Sequence, residues 1–243
     1  MIDSTNTPNP QTWSRVAGVG YLLIFATGIF AEFFVRGGII VSGDPGATAA
    51  NLAASESLFR AGLASEFAML ISDVVVAAAL YVLLRPVSRG LALMAAFFRL
   101  AQGAVLGANL LNLWFPLVLL GGAPALASFT PEQLQSLALL FLETHGVGYT
   151  FGLVFFGAHC LVLGRLVLRS GYFPAILGVL LMIAGAGYLV DALGRALMAG
   201  YADYEAIFAT VVFLPAFVGE LAFCLWLLFR GVDVERWMEA TEG

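Results

Sequence analysis

The chain contains no lysine, and only two cysteines and two histidines in 243 residues; 11% of it is charged. Each shortage removes a class of function. All 11 basic residues are arginine and the net charge is −5, so there is no basic surface of the kind that neutralises nucleic-acid phosphates. Cys160 and Cys224 both fall within apolar stretches, which leaves neither a disulfide framework nor a CxxC zinc site. The first ten residues, "MIDSTNTPNP", carry an aspartate and no arginine, a poor secretory signal. The apolar stretch after Trp13 is too long for a signal h-region, and we read it as an uncleaved first span.

What remains is apolar. The chain is 61% hydrophobic with a mean hydropathy of +0.95, and six stretches of roughly twenty or more mostly apolar residues stand out at 13–36, 58–84, 90–120, 145–168, 173–198 and 206–230. Each is long enough to cross a ~30 Å hydrocarbon layer as a helix. None shows the period-two alternation of a membrane strand. The expectation is an all-α polytopic membrane helix bundle: a disordered tail over 1–12, one transmembrane domain over 13–230 and a cytoplasmic tail over 231–243.

Arginine placement predicts both termini inside. That topology puts Arg15, Arg85, Arg89, Arg165, Arg169, Arg230 and Arg236 on the inner side and only Arg36, Arg60 and Arg195 on the outer, as the positive-inside rule requires. The all-arginine basic set and abundant Ala and Gly fit a GC-rich bacterial coding bias, so the expected location is a bacterial cytoplasmic membrane. Two short outer-face helices are predicted. Asp44 and Pro45 open the first as N-cap and first helical residue. Thr130, Pro131 and Gln133 open the second as a capping box. That second helix should lie on the surface or tilt over 131–144, then bend at Gly146 or Gly148 into the fourth span.

His145 and His159 are 14 residues apart. They share a helix face but stand about 21 Å apart along the axis, too far for one metal ion with ligands at ~2 Å. A bis-histidine haem needs ligands on facing helices, which one stretch cannot supply. We expect no metal and no cofactor. Gly148 and Gly152 form a GxxxG on the same face, which lets a neighbouring helix come close. His145 is then a hydrogen-bonded residue of the outer rim. His159, near mid-membrane, is either structural or a proton carrier.

Ionisable residues inside the spans carry the functional reading. Glu32, Glu66, Asp73, Arg99, His159, Asp191 and Glu220 all lie in apolar stretches, where each unpaired charge costs about 2.5–3.5 kcal/mol. Helix rise puts Asp73, Arg99, His159 and Glu220 in one layer. Asp73, His159 and Glu220 are the acid–base candidates. Arg99 is their electrostatic partner, with Glu66, Gln102, Asn109 and Asn112 as binding or orienting groups along polar seams. At the outer rim Glu32–Arg36 and Asp191–Arg195 have i,i+4 spacing, near Glu143 and His145. The bland alternative is a polar network that only fixes helix register. Pro215, five residues before Glu220, predicts a kink that makes room beside it.

The strings "GIFAEFFVRGGIIVSGDPGATAANL", "LYVLLRPVSRGLALMAAFFRLAQ", "GLVFFGAHCLVLGRLVLRSGYFPAILGVLL" and "GYLVD" resemble bacterial membrane proteins grouped as domain of unknown function 4386, from about Trp13 to Arg230. The resemblance implies a polytopic membrane protein and supplies no catalytic residues. Three functions stay open: an enzyme or binding protein holding a lipophilic small molecule, lipid or isoprenoid-like, in a cavity toward the outer leaflet; a small proton-coupled transporter; and a non-catalytic assembly or stress-response partner. The expected partners are the lipid bilayer and that small molecule, with no nucleic acid and the oligomeric state left open.

Overall fold

The computed structural model describes residues 9–242, except the side chain of Ala209. The described residues are helical, with no strand among them. Six helices are long and apolar enough to cross a membrane: α1 (Pro10–Ile39), α3 (Glu56–Leu84), α4 (Arg89–Leu120), α5 (Pro131–Ser170), α6 (Ala175–Leu197) and α7 (Glu205–Phe229). Two short helices, α2 (Pro45–Ala54) and α8 (Val234–Glu242), complete the set. Large apolar side chains such as Phe33, Ile71, Val190 and Phe229 are exposed, as lipid-facing positions should be.

The caps follow from local chemistry. The Ala47 N–H donates to Asp44 Oδ1 at 2.9 Å with Pro45 beside it, starting α2. At α5 the Thr130 N–H donates to Gln133 Oε1 at 2.9 Å and the Gln133 N–H to Thr130 Oγ1 at 3.4 Å, the reciprocal pair of a capping box. The expected break at Gly146 or Gly148 is absent: α5 runs unbroken for 40 residues, about 60 Å. Glycine lowers helix propensity by about 1 kcal/mol, too little to interrupt a helix whose neighbouring turns are packed.

Two stretches widen to π-helix, Phe30–Arg36 in α1 and Ala209–Phe213 in α7. In the first, the Gly37 N–H reaches back to the Glu32 carbonyl. In the second, Pro215 follows immediately. Proline has no N–H and its ring crowds the preceding turn, and the wider register is where that strain is taken up. The turn ahead of Pro215, where a kink is expected, is thus π-helical.

The chain divides into two compact units, one of Met1–Leu22, Ser72–Gln102 and Gly152–Gly243, the other of Leu23–Ile71 and Gly103–Phe151. In the first, α5 and α6 meet almost backbone to backbone. A Cβ on Gly164 would stand 2.5 Å from the Gly178 carbonyl oxygen and one on Gly185 2.6 Å from that of Gly157. Residues 10–12, expected as tail, form the first turn of α1; residues 1–8 of that expected tail lie outside the described residues. The expected C-terminal tail is a docked helix, with Trp237 buried and its indole N–H donating to the Leu83 carbonyl at 2.9 Å. Gln11 joins the ends of the chain: its side chain donates to the Arg230 carbonyl at 3.1 Å and accepts from the Val232 N–H at 3.2 Å. Gly231 lies between them at φ +76°, and its missing Cβ leaves the room Gln11 occupies.

In the second unit, Val35, Ile39, Leu52, Phe59, Leu63, Leu110, Leu113, Leu117 and Leu142 form one apolar core. The outer-loop helix α2 contributes through Leu52 and is tied down by Asn51, which donates to the Ile39 carbonyl at 3.2 Å.

Candidate functional site

Within the first unit, the polar residues gather on Arg99, which is 1% exposed. Its Nη1 donates to the Tyr21 hydroxyl at 3.0 Å and lies 3.3 Å from His159 Nε2. Its Nη2 stands 2.7 Å from Asp73 Oδ1. The guanidinium lies over two rings, 4.7 Å from the Tyr21 centroid and 5.3 Å from that of Phe156. A desolvated cation is thus met by a carboxylate, a hydroxyl, a ring nitrogen and two π faces, the set of partners that makes it tolerable in hydrocarbon.

The partners of His159 assign its tautomer. Nδ1 is 2.8 Å from the Ala95 carbonyl oxygen, which can only accept, so Nδ1 carries the hydrogen. Arg99 can only donate, so Nε2 presents its lone pair. Both nitrogens of a neutral imidazole are committed. Of the two readings for His159, this geometry favours a strut over a proton carrier.

Glu220 belongs to a neighbouring arrangement. Its Oε1 accepts from the Tyr188 hydroxyl at 2.5 Å. Phe156 joins the two groups, stacking on His159 with centroids 5.6 Å apart and meeting Tyr188 at 5.5 Å. Four sequence candidates, Asp73, Arg99, His159 and Glu220, are therefore buried in one unit, and Arg99 and Glu220 interact electrostatically.

Several polar atoms here have no hydrogen-bond partner among the described residues: both oxygens of Asp73, Arg99 Nε and Gln102 Oε1. Asp73 Oδ1 is nonetheless ion-paired with Arg99, 2.7 Å from Nη2. Unsatisfied polar groups inside a protein mark a site under constraint. Beside His159 is a cavity of about 10 Å³, walled among others by Ala77, Leu80, Ala92 and Leu163. That is room for roughly one water molecule.

The other predicted residues sit elsewhere. Glu66 does not join Asp73; it is buried against Arg36, Oε1 to Nη1 at 2.6 Å, and Arg36 also holds the exposed Glu32 at 2.8 Å. The rim pair therefore has a third, buried member on α3. Asn109 donates to the His145 carbonyl at 2.9 Å and accepts from Asn112 at 2.9 Å, with Gly148 leaving space for the Asn109 side chain. Glu143 is exposed. The Asp191–Arg195 pair is replaced. Asp191 accepts from the Tyr201 hydroxyl at 2.5 Å, while Arg195 pairs with Glu205 and lies over the Tyr201 ring. A buried Asp191 meets a neutral donor more cheaply than a half-exposed arginine that has a solvated carboxylate to hand. Burial, reinforced by the bond to Asp191, pushes the Tyr201 phenol up to about 12.

Tyr21, Tyr188, Tyr201 and Phe156 were not anticipated. For Tyr21 and Tyr188 the signal was present: a tyrosine inside an apolar span has a hydroxyl that needs a partner, as a carboxylate does. Among the described residues, no three His, Cys, Asp or Glu side chains come together to hold a metal ion.

The family described as "Domain of unknown function (DUF4386)" matches residues 16–231. The chain belongs to the DUF4386 family. A relative from Archaeoglobus fulgidus, described as an uncharacterized protein, is 34% identical over 165 residues, covering 68% of this chain and 80% of that protein. An archaeal relative makes the kinship wider than the bacterial proteins that the sequence resembles. No solved structure matches.

Proposed function

We propose that this DUF4386 chain is a multi-pass protein of the cytoplasmic membrane that handles protons, with Glu220 as the exchanging carboxyl and the Asp73–Arg99 pair setting the field around it. The observation that carries the reading is the Glu220–Tyr188 contact. A carboxyl is buried among membrane-spanning helices with a neutral hydroxyl as its hydrogen-bonded partner, beside a cation already claimed by Asp73. The small cavity beside His159 is walled almost wholly by apolar side chains, so a proton fits this reading better than a solute that needs an open path. Intramembrane acids in this position are the usual elements of proton relays.

The test is proton flux into liposomes containing the full-length protein and a trapped pH dye. Glu220→Gln keeps the size of the side chain and an acceptor for Tyr188, so the variant should fold and lose the flux. Flux from Glu220→Gln equal to wild type, or wild-type liposomes no leakier than empty ones, rejects the reading and leaves the cluster as a scaffold.

A second reading has its own support. Asp73 Oδ2, Arg99 Nε and Gln102 Oε1, without hydrogen-bond partners among the described residues, form a donor and acceptor set suited to the polar end of a lipophilic small molecule, admitted if the helices part. A ligand that co-purifies with wild type and is lost from Gln102→Leu would favour it.

A further inference from the structure

A second polar site lies where α3 turns into α4. An open pocket of about 390 Å³ is lined by Tyr81, Arg85, Pro86, Arg89 and, from α8, Thr241. Its size falls in the range of small-ligand sites, roughly 300–1,000 Å³. Arg85 and Arg89 are exposed, and neither takes part in a salt bridge among the described residues. Among the described residues, the lining includes no carboxylate.

Two arginines elsewhere in this unit, Arg15 and Arg236, are tied to backbone carbonyls. Arg15 donates to the Leu227 and Phe229 carbonyls at 3.1 and 3.0 Å. Arg236 donates to the Gly171 carbonyl at 3.0 Å and approaches Asp233. Arg85 and Arg89 instead face an open concavity. Arg89 is also the first residue of α4, after Ser88, whose hydroxyl accepts from the Leu91 N–H at 3.4 Å. The first turn of a helix has N–H groups without an internal acceptor and the positive end of the dipole. Arg85, Arg89 and Tyr81 thus line one pocket at the start of α4, between the ends of two membrane spans.

We propose that this pocket binds a phosphate group, as carried by the headgroup of an anionic lipid, with Arg85 and Arg89 as its fork donors. Helix α8, held by Trp237, forms the outer wall through Thr241. Tyr81 also lines the small cavity beside His159, whereas Arg85 and Arg89 line only the larger pocket.

The experiment is native mass spectrometry of the full-length protein released from micelles containing equal phosphatidylglycerol and phosphatidylcholine. Wild type should retain phosphatidylglycerol preferentially. Arg85→Gln and Arg89→Gln should each weaken retention roughly five-fold with unchanged thermal stability, while Arg169→Gln, an exposed arginine outside the pocket, should not. Displacement of the lipid by inorganic phosphate identifies free phosphate as the occupant of the same site. Equal retention of the two lipids, full retention in the double glutamine variant, or an equal loss in Arg169→Gln overturns the proposal.

Discussion

The Arg99 guanidinium and the His159 imidazole meet at 3.3 Å, Nη1 to Nε2, while the opposite face of the ring is fixed by the Ala95 carbonyl. A histidine held between a donor and an acceptor cannot gain a proton without losing Arg99. His159→Gln should therefore lower stability by about 1–3 kcal/mol and leave the pH profile of any proton flux where it was. A profile whose limb near pH 6–7 disappears in the variant would return His159 to the role of carrier.

Asp73 is the charge partner of Arg99. Asp73→Ala leaves a buried guanidinium unneutralised, and the expected loss is about 3–5 kcal/mol. Asp73→Ala combined with Arg99→Leu should recover a substantial part of it, because the uncompensated charge is gone. Thermal melts in detergent over the four-protein cycle give the coupling directly; strict additivity would mean that the pair does not interact.

Glycine positions separate close packing from mere tolerance. A Cβ at residue 178 would stand 2.6 Å from the Gly164 carbonyl oxygen, whereas one at Gly146 meets nothing within 4 Å. Gly178→Ala should cost about 1–3 kcal/mol through overpacking. Gly146→Ala should be neutral or stabilise by up to ~1 kcal/mol, since α5 is unbroken there. Measured losses at Gly146 would show that the helix needs to bend at that point.

Much of this architecture could be read from the chain because hydrocarbon imposes so blunt a rule. Six spans and the burial of Asp73, Arg99, His159 and Glu220 follow from the cost of exposing polar groups to lipid, and the Asp44 and Thr130 caps from the free N–H groups of a first helical turn. Partner choice was harder. Glu66 went to Arg36, and Asp191 to Tyr201, because helix rise gives depth along a span but not which neighbour it faces. The π stretches in α1 and α7 change that facing locally, and a 3.6-residue period does not foresee them. The bend expected at Gly146 failed for a related reason: local propensity is worth about 1 kcal/mol, less than the packing around it.

Tyr201 gives a pH dependence with a definite sign. Its phenol titrates near 10 when free and is raised to about 12 in the fold. The stabilisation from its bond to Asp191 is thus complete below pH 10 and lost as pH rises toward 12. Wild type and Tyr201→Phe should differ in melting temperature at pH 8 and converge at the alkaline end. A constant gap over that whole interval would contradict the assignment.

Gln11 holds Arg230 and Val232 across 219 and 221 positions of sequence, and Ser14 reaches the Leu227 carbonyl across 213. Gln11 and Ser14 therefore lack these acceptors and donors until residues 227–232 have been synthesised, long after α1 itself. A chain stopped before Leu227 would leave the polar start of α1 without them.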